Sequence, residues 1–208
     1  MINFIKGCKI ENAEELKEEY NIVDNNGIIA NVNAEKIIKL IYDFIDMQGK
    51  DAHLFLFLET PKKENEEHII KEATDNSIGI IKETGNNVYY MDDVPQIVFK
   101  DILKPVEDVL VNDGFTSFGV GNHENGDEIG KYPYNEVYLY SKDNILKYEK
   151  LFNNYNIHKN SEMIYAEDII NVNNLGVCEL YQSKNGTNIY DVVESFKECF
   201  EEFYKEEE

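Results

Sequence analysis

The stretch His53-Leu54-Phe55-Leu56-Phe57-Leu58 decides how this chain folds. It reads as a β-strand. Its apolar residues run unbroken instead of alternating with polar ones, so both of its faces should be buried, which puts it in the interior of a sheet. Leu54–Leu58 is also the longest apolar run in the chain, far short of the roughly 20 residues a membrane-spanning helix needs.

Upstream of this strand, Asn33 is placed to cap a helix reaching about Met47, with Ile37, Ile41, Phe44 and Ile45 on one face. Asn25-Asn26-Gly27 reads as a turn, and Glu11–Tyr20 as a short acidic helix. Downstream, Pro61 to about Asp75 is charged and reads as a surface helix or loop, and Val88–Met91 as a short strand. Pro95 suits the first turn of a helix that Pro105 must kink or split, because proline has no backbone N–H to donate. Asn112-Asp113-Gly114 ends that helix, with Gly114 suited to a left-handed cap.

Phe115–Val120 is extended, and Asn135–Tyr140 alternates, with Val137 and Leu139 on one side and Tyr138 and Tyr140 on the other. Between them the glycine-rich segment reads as a long solvated hairpin loop. A helix from Asp143 to about Tyr155, a strand near Leu175–Tyr181 and a turn at Lys184–Gly186 follow. The clearest helix is the last, where Ile189, Val192, Val193, Phe196, Cys199, Phe200 and Phe203 recur at helical spacing. Helices and strands mix without strict alternation. The prediction is therefore an α+β fold, a single domain over 1–208 with a mainly antiparallel mixed sheet and about four to five helices packed on it. Residues 1–33 read as a less integrated N-terminal segment.

The charge is the strongest compositional signal. Acidic residues number 41 against 20 basic ones, every cation is lysine, and the formal net charge is −21. With 42% hydrophobic and 12% aromatic residues the chain is nevertheless apolar enough to fold. Without arginine there is no planar fork for bidentate capture of phosphate or carboxylate. Lysines are scattered, so nucleic acid and anionic membrane surfaces are disfavoured as partners. A cationic protein is favoured, because a negative field steers it in. Cys8, Cys178 and Cys199 are isolated along the chain, which argues against a disulfide framework and a zinc knuckle and for plain thiols in a reducing compartment. The start, Met1 to Lys6, lacks the features of a signal peptide, so a cytoplasmic protein is expected.

The sequence carries little catalytic signal. No calcium loop of the EF-hand type fits around Gly27, Gly114 or Gly126. No Walker sequence, dinucleotide fingerprint or G-x-S-x-G elbow occurs, and His53, His68, His123 and His158 sit in unrelated contexts. No cofactor is implied. The most unusual segment, Gly119 to Gly130, contains His123, Glu124, Asp127 and Glu128, which form an alternative metal-ligand set for a metal-dependent hydrolase. Their spacing differs from the two-histidine helical pattern of zincins.

Between Lys104 and Lys131 the chain has no lysine, and this window leads into the tyrosines of the alternating strand. Asp113, Glu124, Asp127, Glu128, Tyr132, Tyr134 and Glu136 are accordingly the candidate contacts for a basic protein partner, since tyrosine supplies rigid area with a polar tip.

The run Asn112-Asp113-Gly114-x-x-x-Phe118-Gly119-x-Gly121-x-His123-x-x-x-Asp127-Glu128-Ile129, followed by Tyr134-Asn135, resembles a group of uncharacterised cytosolic proteins of low-GC Gram-positive bacteria, over about residues 50–200. The resemblance brings no activity with it. In overall character (small, acidic, free of catalytic motifs) the chain is also similar to immunity proteins that neutralise basic toxins, with no residue motif behind that likeness. The expectation is a non-enzymatic acidic binding protein, with an immunity protein or antitoxin as its concrete form.

Overall fold

A computed structural model describes residues 1–63 and 85–206, and in it the quoted run forms most of a long interior strand. In chain order the strands and helices are β1 (Cys8–Ile10), β2 (Glu19–Val23), β3 (Gly27–Asn31), α1 (Ala34–Met47), β4 (His53–Pro61), β5 (Asn86–Pro95), α2 (Gln96–Leu103) and α3 (Glu107–Asn112). They continue with β6 (Ser117–Asn122), β7 (Asp127–Lys131), β8 (Glu136–Ser141), α4 (Glu149–Asn154), β9 (His158–Lys159), α5 (Ala166–Ile169), β10 (Gly176–Cys178), α6 (Ile189–Cys199) and β11 (Phe203–Lys205). Among the described residues the large sheet runs in the order β11-β5-β4-β6-β7-β8-β3-β2-β9, while β1 and β10 form a separate pair. Every pairing is antiparallel except β2 with β9. The chain is thus a single α+β fold with a mostly antiparallel sheet.

One face of the sheet carries the helices. Leu54, Leu56 and Leu58 of β4, Phe118 and Val120 of β6, Ile129 of β7, and Val137 and Leu139 of β8 join one core with Ile37, Leu40 and Phe44 of α1. Each large side chain removed from water in this way contributes about 1.5–3 kcal/mol. Pro105 splits the predicted helix as expected, since α2 ends at Leu103 and α3 begins at Glu107. The last helix stops at Cys199, and Phe203, assigned to the same stripe by the sequence, instead opens edge strand β11 and stacks on Tyr89. Asn188 starts that helix by accepting hydrogen bonds from the Tyr190 and Asp191 amides, while Asp191 accepts from the Asn188 amide.

Several expectations are corrected. Glu11–Tyr20 is not a helix: turns lead directly into β2, and Ala13 and Leu16 are buried in a small second core with Ile2, Ile10 and Ala166. Residues of the first 33 are built into the main core as well, among them Ile5, Tyr20, Ile28 and Val32. Gly114 needs no left-handed conformation. A Cβ there would lie 1.9 Å from the Gly7 carbonyl oxygen, so what it provides is close backbone approach. The charged stretch after Pro61 lies, from residue 64 to residue 84, outside the described residues. Among the described residues no helix is long and apolar enough to cross a membrane.

The predicted solvated loop from Gly119 to Gly130 is mostly strand. It forms the β6–β7 hairpin, with Gly119 paired to Gly130 and Gly121 to Glu128. The turn is tied by the Asn122 and Asn125 side chains, which accept from the amides of Glu124 and Asp127, and Gly126 adopts φ +68°.

Candidate functional site

Among the described residues, no helix covers the opposite face of the sheet over β5, β4, β6 and β7. Here Phe55 and Phe57 point away from the helices, and their rings lie on the glycines of the neighbouring strands. A Cβ on Gly119 would meet the Phe57 ring at 2.2 Å, one on Gly121 the Phe55 ring at 2.2 Å, and one on Gly130 the Phe57 ring at 2.8 Å. Phe55 and Phe57 are therefore only 8% and 9% exposed, though no second layer of the described residues packs over them. The unbroken apolar run predicts burial on both faces; on this face the phenylalanines gain it from the glycine backbone beneath them.

A groove of about 590 Å³ opens over these rings. Its aromatic lining is Phe55, Phe57, Tyr90, Tyr132, Tyr204 and His123, and its carboxylates are Glu59, Asp92, Glu128 and Glu206. Among the described residues no lysine lines it. Strand alternation puts the groups there: Tyr90 and Asp92 lie two apart on β5, Glu128 lies on β7 with Tyr132 immediately after that strand, and Tyr204 pairs with Tyr90 across β11 and β5.

The polar groups of the groove fall into two sets. At one end Asp92 accepts hydrogen bonds from the Tyr204 hydroxyl at 2.6 Å and pairs with His123 Nε2 at 3.0 Å, and the His123 ring stacks on Phe55 with centroids 4.3 Å apart. Burial pushes the Asp92 carboxyl up, but the hydrogen bonds from Tyr204 and His123 outweigh it and leave it below the usual carboxylate value. Tyr204 is correspondingly pushed up to about 12, first by its bond to Asp92 and then by burial.

Glu128 is different. It accepts no hydrogen bond from the described residues, and its burial raises the carboxyl above its ordinary value against the opposing pull of His123. Tyr132 is pushed up to about 12 by burial and then by the charges of Glu128 and Glu59. A half-buried carboxylate without a partner, beside a second carboxylate and tyrosine hydroxyls, is a place where added positive charge would be favourable.

Of the residues singled out from the sequence, Glu128 and Tyr132 line this groove. Glu124 is exposed at the tip of the β6–β7 turn, next to His123. The others lie elsewhere. Asp113 is fully buried and accepts from the Phe115, Thr116 and Tyr181 amides and the Thr116 hydroxyl. Asp127 is 1% exposed on the helix-bearing face, bonded to Ser141, Lys147 and Tyr148. Neither has surface to offer a partner, which corrects the predicted contact set. Tyr134 packs beside the small second core, and Glu136 lies under α5, where it accepts from the Ala166 amide and burial raises its carboxyl.

The alternative metal set does not converge either. Adjacent strand residues point to opposite faces, so Asp127 and Glu128 are separated by the sheet itself. Among the described residues no group of three or more His, Cys, Asp or Glu side chains is arranged to hold a metal.

Sequence reasoning missed Glu59, Asp92, Glu206, Phe55, Phe57, Tyr90 and Tyr204 as site residues. A signal existed in Val88-Tyr89-Tyr90-Met91-Asp92, where buried Tyr89 and Met91 alternate with half-exposed Tyr90 and Asp92. No protein-family model matches the chain, and no curated protein or solved structure matches it significantly.

Proposed function

We propose that this chain is a non-enzymatic binding protein that holds a cationic protein partner on the open face of its sheet, with neutralisation of a basic toxin as the concrete form. The observation that supports this is the single groove in which five aromatic side chains and His123 share walls with Glu59, Asp92, Glu128 and Glu206 and with no lysine of the described residues. The net charge of −21 attracts a basic protein from a distance. At contact, arginine or lysine side chains set over Tyr90, Tyr132 or Tyr204 gain cation–π attraction, and their charge meets Glu128, which accepts no hydrogen bond from the described residues.

The Glu128 carboxylate is costly to the free protein, since it is half-buried and accepts no hydrogen bond from the described residues. A carboxylate that costs the folded state and sits in an open groove fits a binding role better than a role in solubility, which exposed acids serve without cost.

The reading is tested by affinity capture at low salt with the wild-type chain and with the double variant Glu59→Lys, Glu128→Lys as baits. The wild type should retain a basic protein that high salt releases and that the variant does not retain. If no basic protein is retained, or if the variant retains it equally, the reading fails.

A further inference from the structure

Cys8 and Cys178 are 170 residues apart in sequence and directly opposite each other in the fold. They are register partners in the β1–β10 pair, with their sulfurs 3.4 Å apart. The Glu179 amide donates to the Gly7 carbonyl at 2.8 Å, so the adjacent pair Cys8/Cys178 is the one without mutual backbone hydrogen bonds. Such pairs hold their Cα atoms about 4.5 Å apart, within the roughly 4.4–6.8 Å that a disulfide spans.

The surroundings differentiate the two thiols. Cys8 is buried and Cys178 partly exposed. Cys178 is brought down to about 7 chiefly by its hydrogen bond with Cys8, with Tyr134 and the Lys131 ammonium helping against burial and the Asp113 charge. That same hydrogen bond, followed by burial, pushes Cys8 up. Lys131 is 0% exposed, and among the described residues its ammonium donates to two main-chain carbonyls, those of Asp113 and Thr116, each at 2.7 Å. A fully buried cation with neutral acceptors favours a thiolate nearby. A cavity of about 310 Å³ lined by Lys6, Cys8, Lys9, Val177 and Glu179 opens beside Cys8, and Cys178 is itself partly exposed.

We propose that Cys8 and Cys178 form a reversible dithiol–disulfide site that reacts with peroxides, with Cys178 as the attacking sulfur and Cys8 as the resolving one. The Cys178 thiolate attacks one peroxide oxygen: an S–O bond forms, the O–O bond breaks, and the departing hydroxide (or alkoxide) takes a proton from solvent. Cys178 is thereby oxidised to the sulfenic acid and the peroxide reduced. The Cys8 sulfur then attacks Cys178: the S–S bond forms, the S–O bond breaks, and water leaves with the Cys8 proton. An external thiol restores both cysteines by exchange. The product would join the first strand of the chain to the segment that carries Cys178.

The test is peptide mapping by mass spectrometry of the full chain after stoichiometric hydrogen peroxide, with free thiols blocked before unfolding. The expected product is a Cys8–Cys178 linked peptide, a loss of about 2 Da, formed in the Cys199→Ser variant as well and reversed by dithiothreitol. In Cys8→Ser, dimedone should trap a sulfenic acid at Cys178, provided circular dichroism shows the variant folded. The wild-type map needs no variant to be decisive. Oxidation confined to the exposed Cys199, or unlinked overoxidation of Cys178 with Cys8 left free, would overturn the proposal.

Discussion

The Phe57 ring lies across Gly119 so closely that even a methyl group on that residue would fall 2.2 Å from it. A Cβ at Gly119 would also meet the Ile129 carbonyl oxygen at 2.4 Å, whereas all three near contacts of one at Gly121 come from the Phe55 ring. Backbone cannot yield where a ring can turn. Gly119→Ala should lower unfolding free energy by about 1–3 kcal/mol, and adding Phe57→Ala should not restore it. Gly121→Ala should lose less once Phe55→Ala is added. Urea denaturation of the two double-mutant cycles checks both expectations.

Asp127 anchors the far side of the same hairpin. It accepts from the Ser141 hydroxyl at 2.6 Å and the Tyr148 hydroxyl at 2.7 Å, and it pairs with Lys147. Asp127→Ala leaves the buried Tyr148 hydroxyl without an acceptor and should cost about 3 kcal/mol. The loss should appear in the urea midpoint, while capture of a basic partner by the folded protein should persist, because Asp127 is not in the groove.

Lys131 gives a signed pH dependence. Burial lowers its ammonium from 10.5 to about 8. Between about pH 8 and 10.5 the unfolded chain therefore binds more protons at this residue than the folded one, and stability rises with pH across that window. Below it the buried charge costs about 3 kcal/mol relative to a neutral amine. The wild type should thus gain on Lys131→Met as pH rises from 8, measured as the difference between their unfolding free energies. A constant difference across the window would contradict the assignment.

Glu128 carries the opposite sign. Its folded value is raised, so the stability linked to it is present at acid pH and is lost as pH rises through that value. Glu128→Gln should stabilise the free protein at neutral pH, with the advantage disappearing once pH falls below the ordinary glutamate value. The same variant should bind a cationic partner more weakly, and calorimetric titration reads the two effects separately.

How far the sequence reveals this molecule can be followed residue by residue. The alternation of Val137 and Leu139 with Tyr138 and Tyr140 states the two faces of β8 outright, and the helical spacing from Ile37 to Ile45 states the buried side of α1. Strand β7 is hidden, because Asp127-Glu128-Ile129-Gly130-Lys131 places a carboxylate and an ammonium on the buried side of Ile129. Only tertiary hydrogen bonds, from Ser141 and Tyr148 to Asp127 and from Lys131 to two carbonyls, make that tolerable, and no local pattern announces them. The groove is partly legible. Its Glu128 sits in the lysine-free stretch and its Tyr132 just beyond, but Asp92 on β5 and Glu206 just after β11 meet only when the sheet is assembled. The pairing of Cys8 with Cys178 lies beyond any reading of spacing, since it depends on the β1–β10 ladder.

The central claim is that cations are received on the open sheet face. Its most direct test is a titration of isotopically labelled protein with a short arginine-rich peptide at low salt, followed by two-dimensional NMR. The account predicts saturable shifts concentrated at Phe57, Tyr90, Glu128 and Tyr132, abolished by high salt and by Glu59→Lys with Glu128→Lys. Shifts spread equally over exposed acids of the helical side, such as Glu194 and Glu198 of α6, or no shifts at the groove, would contradict it.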